Sequence, residues 1–176
     1  MEHQWRQRRR RIRRWLKPLP RKANVARYPI VKWFSAFIHK KPELWSFKNT
    51  SVVRAIYLGS LLAYLPSYGA QILLAVLVAF FARANLTAMV SLQMITNPLT
   101  AAPIYLATYA IGNKLIKIFH LSVKNLIFDG ALAMILGGLM LGLITALLLH
   151  GLWIFGQYEA AQFRLKRQTG DLNKKS

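Results

Sequence analysis

The chain contains no cysteine, which excludes disulfides, thiolate nucleophiles and cysteine-bound zinc or iron–sulfur centres. Acidic residues are almost as scarce. There are five Asp and Glu in 176 residues, and none between Glu43 and Asp129. A paired-carboxylate acid–base site is therefore excluded from the body of the chain. His3, His39, His120 and His150 are scattered. Ser60, Ser67 and Ser91 have no base nearby in sequence and lie in no nucleophile-elbow pattern. A proton-coupled transporter usually needs an ionisable relay within the bilayer; His150 is the one titratable candidate, and it is expected to face the interface. The expectation is a non-enzyme with no cofactor and no metal.

What is abundant is apolar surface and positive charge. The chain is 55% hydrophobic, yet its formal net charge is +20. The two are segregated, because 15 of the 25 Lys and Arg lie within residues 1–50. Three regions follow: a basic arm (1–50), an apolar body (51–155) and a short polar tail (156–176). The arm leads into further basic and aromatic sequence rather than an apolar h-region, so no cleaved leader is expected, the twin-arginine kind included.

Within the arm, "WRQRRRRIRRWL" places Trp5, Ile12, Trp15 and Leu16 on one helical face, with arginines elsewhere. "YPIVKWFSAFIHKK" starts with Pro29 in a favourable first-turn position and repeats Ile30, Trp33, Phe34, Phe37 and Ile38 at helical spacing. Both read as basic amphipathic helices on a membrane surface with Trp at headgroup depth. Such charge attracts anionic lipid by ~1 kcal/mol per Lys or Arg near the surface. An arginine block also suits nucleic-acid phosphates, the weaker reading here. A topogenic tail holding this end in the cytoplasm is the plainest one.

The body is interrupted. Thr50 or Ser51 is placed to cap a helix that runs to about Leu65 and meets Pro66 and Gly69. A second apolar segment follows to about Phe81, closed by Arg83-Ala-Asn85. Each half is about 12–15 residues, ~18–22 Å at helical rise, short of the ~30 Å hydrocarbon core. This is either one kinked span or a re-entrant hairpin. The pattern recurs: a short helix from about Leu86, a break at Asn97-Pro98, then a helix containing Pro103. Proline costs a continuous helix ~3 kcal/mol or more and pushes Asn97 out of the helical region. The two units look like a diverged duplication, and paired interruptions mark binding sites between half-helices. Residues 114–128, with Lys114, Lys117 and Lys124, read as interfacial. Residues 130–155 are long enough for a full transmembrane helix. In it Gly138, Gly142 and Ala146 form a small-residue stripe for helix packing.

Residues 54–115 resemble the prokaryotic membrane family catalogued as domain of unknown function 2062. The matching punctuation is Pro66, Gly69 and Gln71; Arg83, Asn85 and Leu86; then Asn97, Pro98, Leu99 and Thr100, followed by Pro103 and Tyr105. About a third of the chain is covered. Ala63 departs from the pattern, where many members carry a second glycine. The resemblance implies an integral membrane protein of bacteria and implies no activity. A fainter likeness, in helix–break–helix layout only, is to DedA-type transporters of lipid carriers.

The expected architecture is thus all-α and integral to the membrane. It comprises basic amphipathic helices, two Pro-broken, re-entrant or kinked units, and one long transmembrane helix. The positive bias places the N-terminus in the cytoplasm of a bacterial inner membrane. The breaks at Pro66, Gly69 and Pro98 present helix N-termini with free N–H groups. Beside them Gln71, Asn97 and Thr100, with Arg54 and Arg83, are the expected ligand-binding set for an anionic lipid or phosphate-bearing amphiphile. Against this stands a purely structural role, in which the polar residues cap broken helices and the arginines snorkel to headgroups. The functional alternative is a membrane scaffold whose basic arm recruits a partner or anionic lipid. A homo-oligomer is expected because so few spans can hardly enclose a pathway.

Overall fold

A computed structural model describes residues 41–67, 69–121 and 126–172, and in the last helix the side chains of 127–163. The expected amphipathic helices of the basic arm lie outside the described residues. Those residues contain no strand. They form a 3-10 turn, Pro42–Trp45, and five α-helices: α1 Asn49–Tyr64, α2 Gln71–Ala82, α3 Leu86–Gln93, α4 Ala101–Phe119 and α5 Leu126–Leu172.

The helix ends follow local chemistry. The start of α1 corrects the expected cap at Thr50 or Ser51. Lys48 takes the cap position without a side-chain bond, and its carbonyl accepts from both Ser51 N and Val52 N at 3.1 Å. The helix therefore begins just after Lys48, and Ser51 is buried inside it. Leu65 is extended, as a residue before proline should be. Gly69 has φ 90, a backbone region that costs a residue without Cβ nothing. At the end of α2, Arg83 adopts a left-handed conformation with φ 51, and its N–H reaches the Ala79 carbonyl. His120 ends α4 in the same way at φ 52. The expected interfacial segment is thereby divided, since Lys114 and Lys117 belong to α4. Pro103 is the third residue of α4, in the first turn, where an N–H has no intrahelical partner to lose.

Packing is by close backbone approach. α1 lies between α3 and α5, α2 rests on α3 and α1, and α4 pairs along α5. The core joins Ala55 and Leu62 of α1, Ala75, Val76 and Ala79 of α2, and Leu86, Met89 and Val90 of α3. Small residues set the α5 crossings. A Cβ on Gly138 would lie 2.6 Å from Tyr64 O, and one on Gly142 2.8 Å from Leu61 Cα. Ala146 is fully buried and packs with Val52 and Ile56 of α1. α4 meets α5 still more closely. A Cβ on Gly112 would collide with Ala133 O, and one on Gly137 with Thr108 O.

The two helix–break–helix units are unequal. The first pairs 16 with 12 residues, the second 8 with 19. Their partners differ too: α2 packs on α3, whereas α4 packs on α5. The fold thus carries no pairing that reflects the expected duplication.

α5 also revises the expected boundaries. It runs 47 residues, ~70 Å at helical rise, rather than spanning 130–155 ahead of a separate tail. No proline interrupts residues 156–172, and Ala, Glu, Gln, Leu, Lys and Arg there favour helix. Its stretch Ile127–Phe163 is long and apolar enough to cross a membrane, and only 28% of its most apolar window is buried against protein. Leu143, Ile144, Leu147, Leu148 and Leu152 are exposed, so α5 presents a wide apolar face.

Candidate functional site

The five expected ligand-binding residues fall into two groups separated along α1. Gln71, Asn97 and Thr100 gather where α1 ends. Arg54 and Arg83 lie nearer its start. Arg54 and Ala63 are nine residues apart, ~13 Å along a helix.

The first group belongs to a buried polar centre bonded largely within itself. Gln71 opens α2, is 7% exposed, and turns inward. Its Nε2 donates to Thr96 O at 2.9 Å and to Gln93 O at 3.3 Å. Thr96 Oγ1 donates to Ala63 O at 2.9 Å, with Gln71 Oε1 a second acceptor at 3.2 Å. Gln93 Nε2 bridges Met89 O at 3.0 Å and Gly59 O at 3.2 Å. Ala63 and Gln93 lie in the last turns of α1 and α3, where carbonyls run out of intrahelical partners, and Thr96 lies in the break itself, so the Gln71 amide and the Thr96 hydroxyl complete the broken backbone. Gly59 O and Met89 O lie inside α1 and α3, so the Gln93 amide ties those two helices together. Two atoms in this centre stay unpartnered, Gln93 Oε1 and Ser60 Oγ. Both residues are fully buried.

Asn97 and Thr100 close on each other. Asn97 Oδ1 accepts from Leu99 N at 2.9 Å and Thr100 N at 3.1 Å. Thr100 Oγ1 accepts from Asn97 N at 3.0 Å and donates to Ile95 O at 2.6 Å. The expectation of free N–H groups after Pro98 is corrected here, because the Asn97 side chain already occupies them. A ligand at the Leu99 and Thr100 N–H groups would have to displace the Asn97 side chain.

The second group is charged. Arg54 donates from its guanidinium to Ala82 O at 3.2 Å, where a cation suits the negative end of α2. Arg83 follows immediately, and both arginines are exposed. They are the only charged residues between Lys48 and Lys114.

Sequence spacing carries no sign of Gln93 or Thr96 as connectors, whereas Asn85 stands in the punctuation just before α3. The one available signal is a polar residue within an apolar run. Asn85 is fully buried. Its Oδ1 caps α3 by accepting from Ala88 N at 2.8 Å, its Nδ2 donates to Ser46 O at 2.8 Å, and its main-chain N reaches Ser51 O at 2.9 Å. Asn85→Ala loses a cap and strands one half-buried carbonyl, so a loss of about 2 kcal/mol is expected. Asn85→Asp keeps the cap but not the donor. Thermal unfolding of both variants beside the wild type measures the difference.

Midway along both α1 and α5, Tyr57 Oη and His150 Nδ1 lie 3.0 Å apart. His150 thus has a partner on α1. Trp153 Nε1 donates to Asn49 Oδ1 at 2.8 Å, and Gln157 Nε2 to the same oxygen at 3.1 Å. Among the described residues no group of three or more His, Cys, Asp or Glu is placed to hold a metal.

Residues 32–164 match the model of a family described as uncharacterized protein conserved in bacteria, domain of unknown function 2062. No curated protein and no solved structure matches the chain. The match begins inside the basic arm and ends within α5, well beyond the punctuated segment 54–115, and the chain belongs to this bacterial family.

Proposed function

We propose that this chain is an integral protein of the bacterial cytoplasmic membrane, with its N-terminus in the cytoplasm. It binds an anionic lipid or phosphate-bearing amphiphile without chemically altering it and, as an oligomer, translocates it. The carrying observation is the meeting of Arg54 with the end of α2 beside Arg83, in a segment with no carboxylate from residue 44 to 128. Arginine near bilayer depth is costly without a partner. An anionic headgroup supplies one through charge-assisted, bidentate bonds. The broad exposed apolar face of α5 and the basic arm support the membrane setting. The charged pair replaces the five-residue set as the headgroup contact, with Gln71, Asn97 and Thr100 holding the breaks in shape.

The test is the double variant Arg54→Ala/Arg83→Ala in vesicles containing phosphatidylglycerol or phosphatidylcholine. Each arginine contributes about 1 kcal/mol near such a surface, so the double variant should lose about thirtyfold in preference for the anionic lipid. A correctly folded double variant with wild-type lipid preference and translocation overturns the proposal. Deleting residues 1–48 separates it from the scaffold alternative, which requires the arm for every activity.

A further inference from the structure

The clearest feature left unused by the arginine pair is an apolar groove on the opposite side of α1. Its volume is ≈ 390 Å³, within the range of about 300–1,000 Å³ typical of small-molecule sites. Val52 and Ile56 of α1, Leu92 of α3, Leu149 and Trp153 of α5, and Phe47 line it. Residues 52 and 56 are one turn apart, as are 149 and 153, so the groove runs along the helix axes. Phe47 is 66% exposed, which leaves a large aromatic ring facing outward at one end.

We propose that this groove seats one acyl chain of an anionic phospholipid, its phosphate held at the start of α1. Three observations commit the groove to this occupant. The walls are hydrocarbon apart from Ser91, whose hydroxyl is already spent on Thr87 O at 2.6 Å. Lys48 is exposed and stands in the chain between Phe47, which lines the groove, and Asn49, whose side chain holds the lining Trp153. It occupies the cap position of α1 with no side-chain acceptor on the helix N–H groups, so the lysine charge and the helix end are positive at the same place. Finally, Asn49 Oδ1 fixes Trp153 Nε1 at that level, with the indole lining the groove and its polar edge at the rim. That is the orientation Trp takes at a membrane interface. The chain then descends past Val52, Ile56 and Leu149 toward Leu92.

This inference rests on the membrane reading above but uses neither arginine. The test uses the full-length protein purified with lipid, counted by native mass spectrometry. Ala88→Trp and Leu152→Trp fill the groove from α3 and α5 respectively. Each should remove one tightly retained phosphatidylglycerol while circular dichroism stays that of the wild type. Leu152 is 66% exposed, so its replacement serves as the fold-safe variant. Lys48→Gln should lower phosphatidylglycerol retention about fivefold, the factor expected of one lysine at a headgroup surface, and leave phosphatidylcholine unchanged. In a variant with Trp153 as sole tryptophan, brominated acyl chains should quench its emission, and Leu152→Trp is omitted from that background. A wild-type lipid count in both groove-filling variants overturns the inference. So does unquenched Trp153, or crosslinking of the groove to a second copy or to the chain's own basic arm. If groove filling has no effect while Arg54→Ala/Arg83→Ala still abolishes anionic preference, the groove inference falls and the proposed function stands.

Discussion

Gly137→Ala should be among the most damaging single-methyl additions to this protein. The new Cβ would collide with the Thr108 carbonyl and lie 2.9 Å from Gly112 N. All of these are backbone atoms, so no rotamer change on α4 can make room. The helices must separate, and the pairing that joins α4 to α5 loosens along its length. Overpacking a tight core costs typically 1–3 kcal/mol and occasionally more. With rigid backbone on both sides, a loss of at least ~3 kcal/mol is expected for Gly137→Ala, a large fraction of the 5–15 kcal/mol typical of a domain.

Gly112→Ala, whose Cβ would strike Ala133 O, should be equally severe. Both glycines serve one crossing, so the double variant should lose less than the sum of the singles. Gly151→Ala is the control. Nothing lies within 4 Å of a Cβ there, and on an exposed helix the change should be neutral or stabilising by up to about 1 kcal/mol. Thermal or denaturant unfolding in detergent, followed by circular dichroism, reads all four. An unfolding midpoint for Gly137→Ala equal to that of Gly151→Ala would refute the crossing geometry.

The second large effect is expected at Gln71. Gln71→Leu keeps an apolar side chain of similar reach but removes the donor to Gln93 O and Thr96 O. These carbonyls follow from the end of α3, where helical partners run out. Each buried acceptor left alone costs about 1–3 kcal/mol, so a total loss of about 2–6 kcal/mol is expected. The loss should be local first, because the segment 94–100 is joined to α1 and α2 through Thr96 and Gln71. Hydrogen exchange should therefore rise across 94–100 and at the start of α2, before α4 and α5 are affected. Uniform acceleration throughout the chain, or none, would contradict this placement. In hydrocarbon the penalty would be larger, since no water can replace the missing donor.

Both cases turn on what was legible in the primary structure. The Gly138–Gly142–Ala146 stripe is visible as residues four apart, and this face of α5 meets α1. Gly112 and Gly137 carry a weaker signal: each stands four residues after another small residue, Thr108 and Ala133, and its role exists only because the other helix lies across it. The breaks at Pro66, Gly69 and Pro98 are readable because a proline or a positive-φ glycine acts on its immediate neighbours. The extent of α5 was not, because charge and polarity mark a boundary in composition while helix formation continues through Glu, Gln, Lys and Arg.

The helical class, the position of both interruptions, the absence of carboxylates from residue 44 to 128 and membership of the bacterial family can all be read from the amino-acid order. These depend on backbone rules spanning a few residues, or on composition and pattern. Helix packing is what turns Gln71 inward and brings Arg54 to the end of α2 beside Arg83, and the fold of the break is what sets Asn97 on its own N–H groups. Those outcomes turn on partners 22–28 residues distant in two cases, and in the third on a side chain choosing its own neighbours. A polar residue beside a broken helix satisfies whichever group the packing brings within hydrogen-bond reach, and spacing alone does not say which one that is.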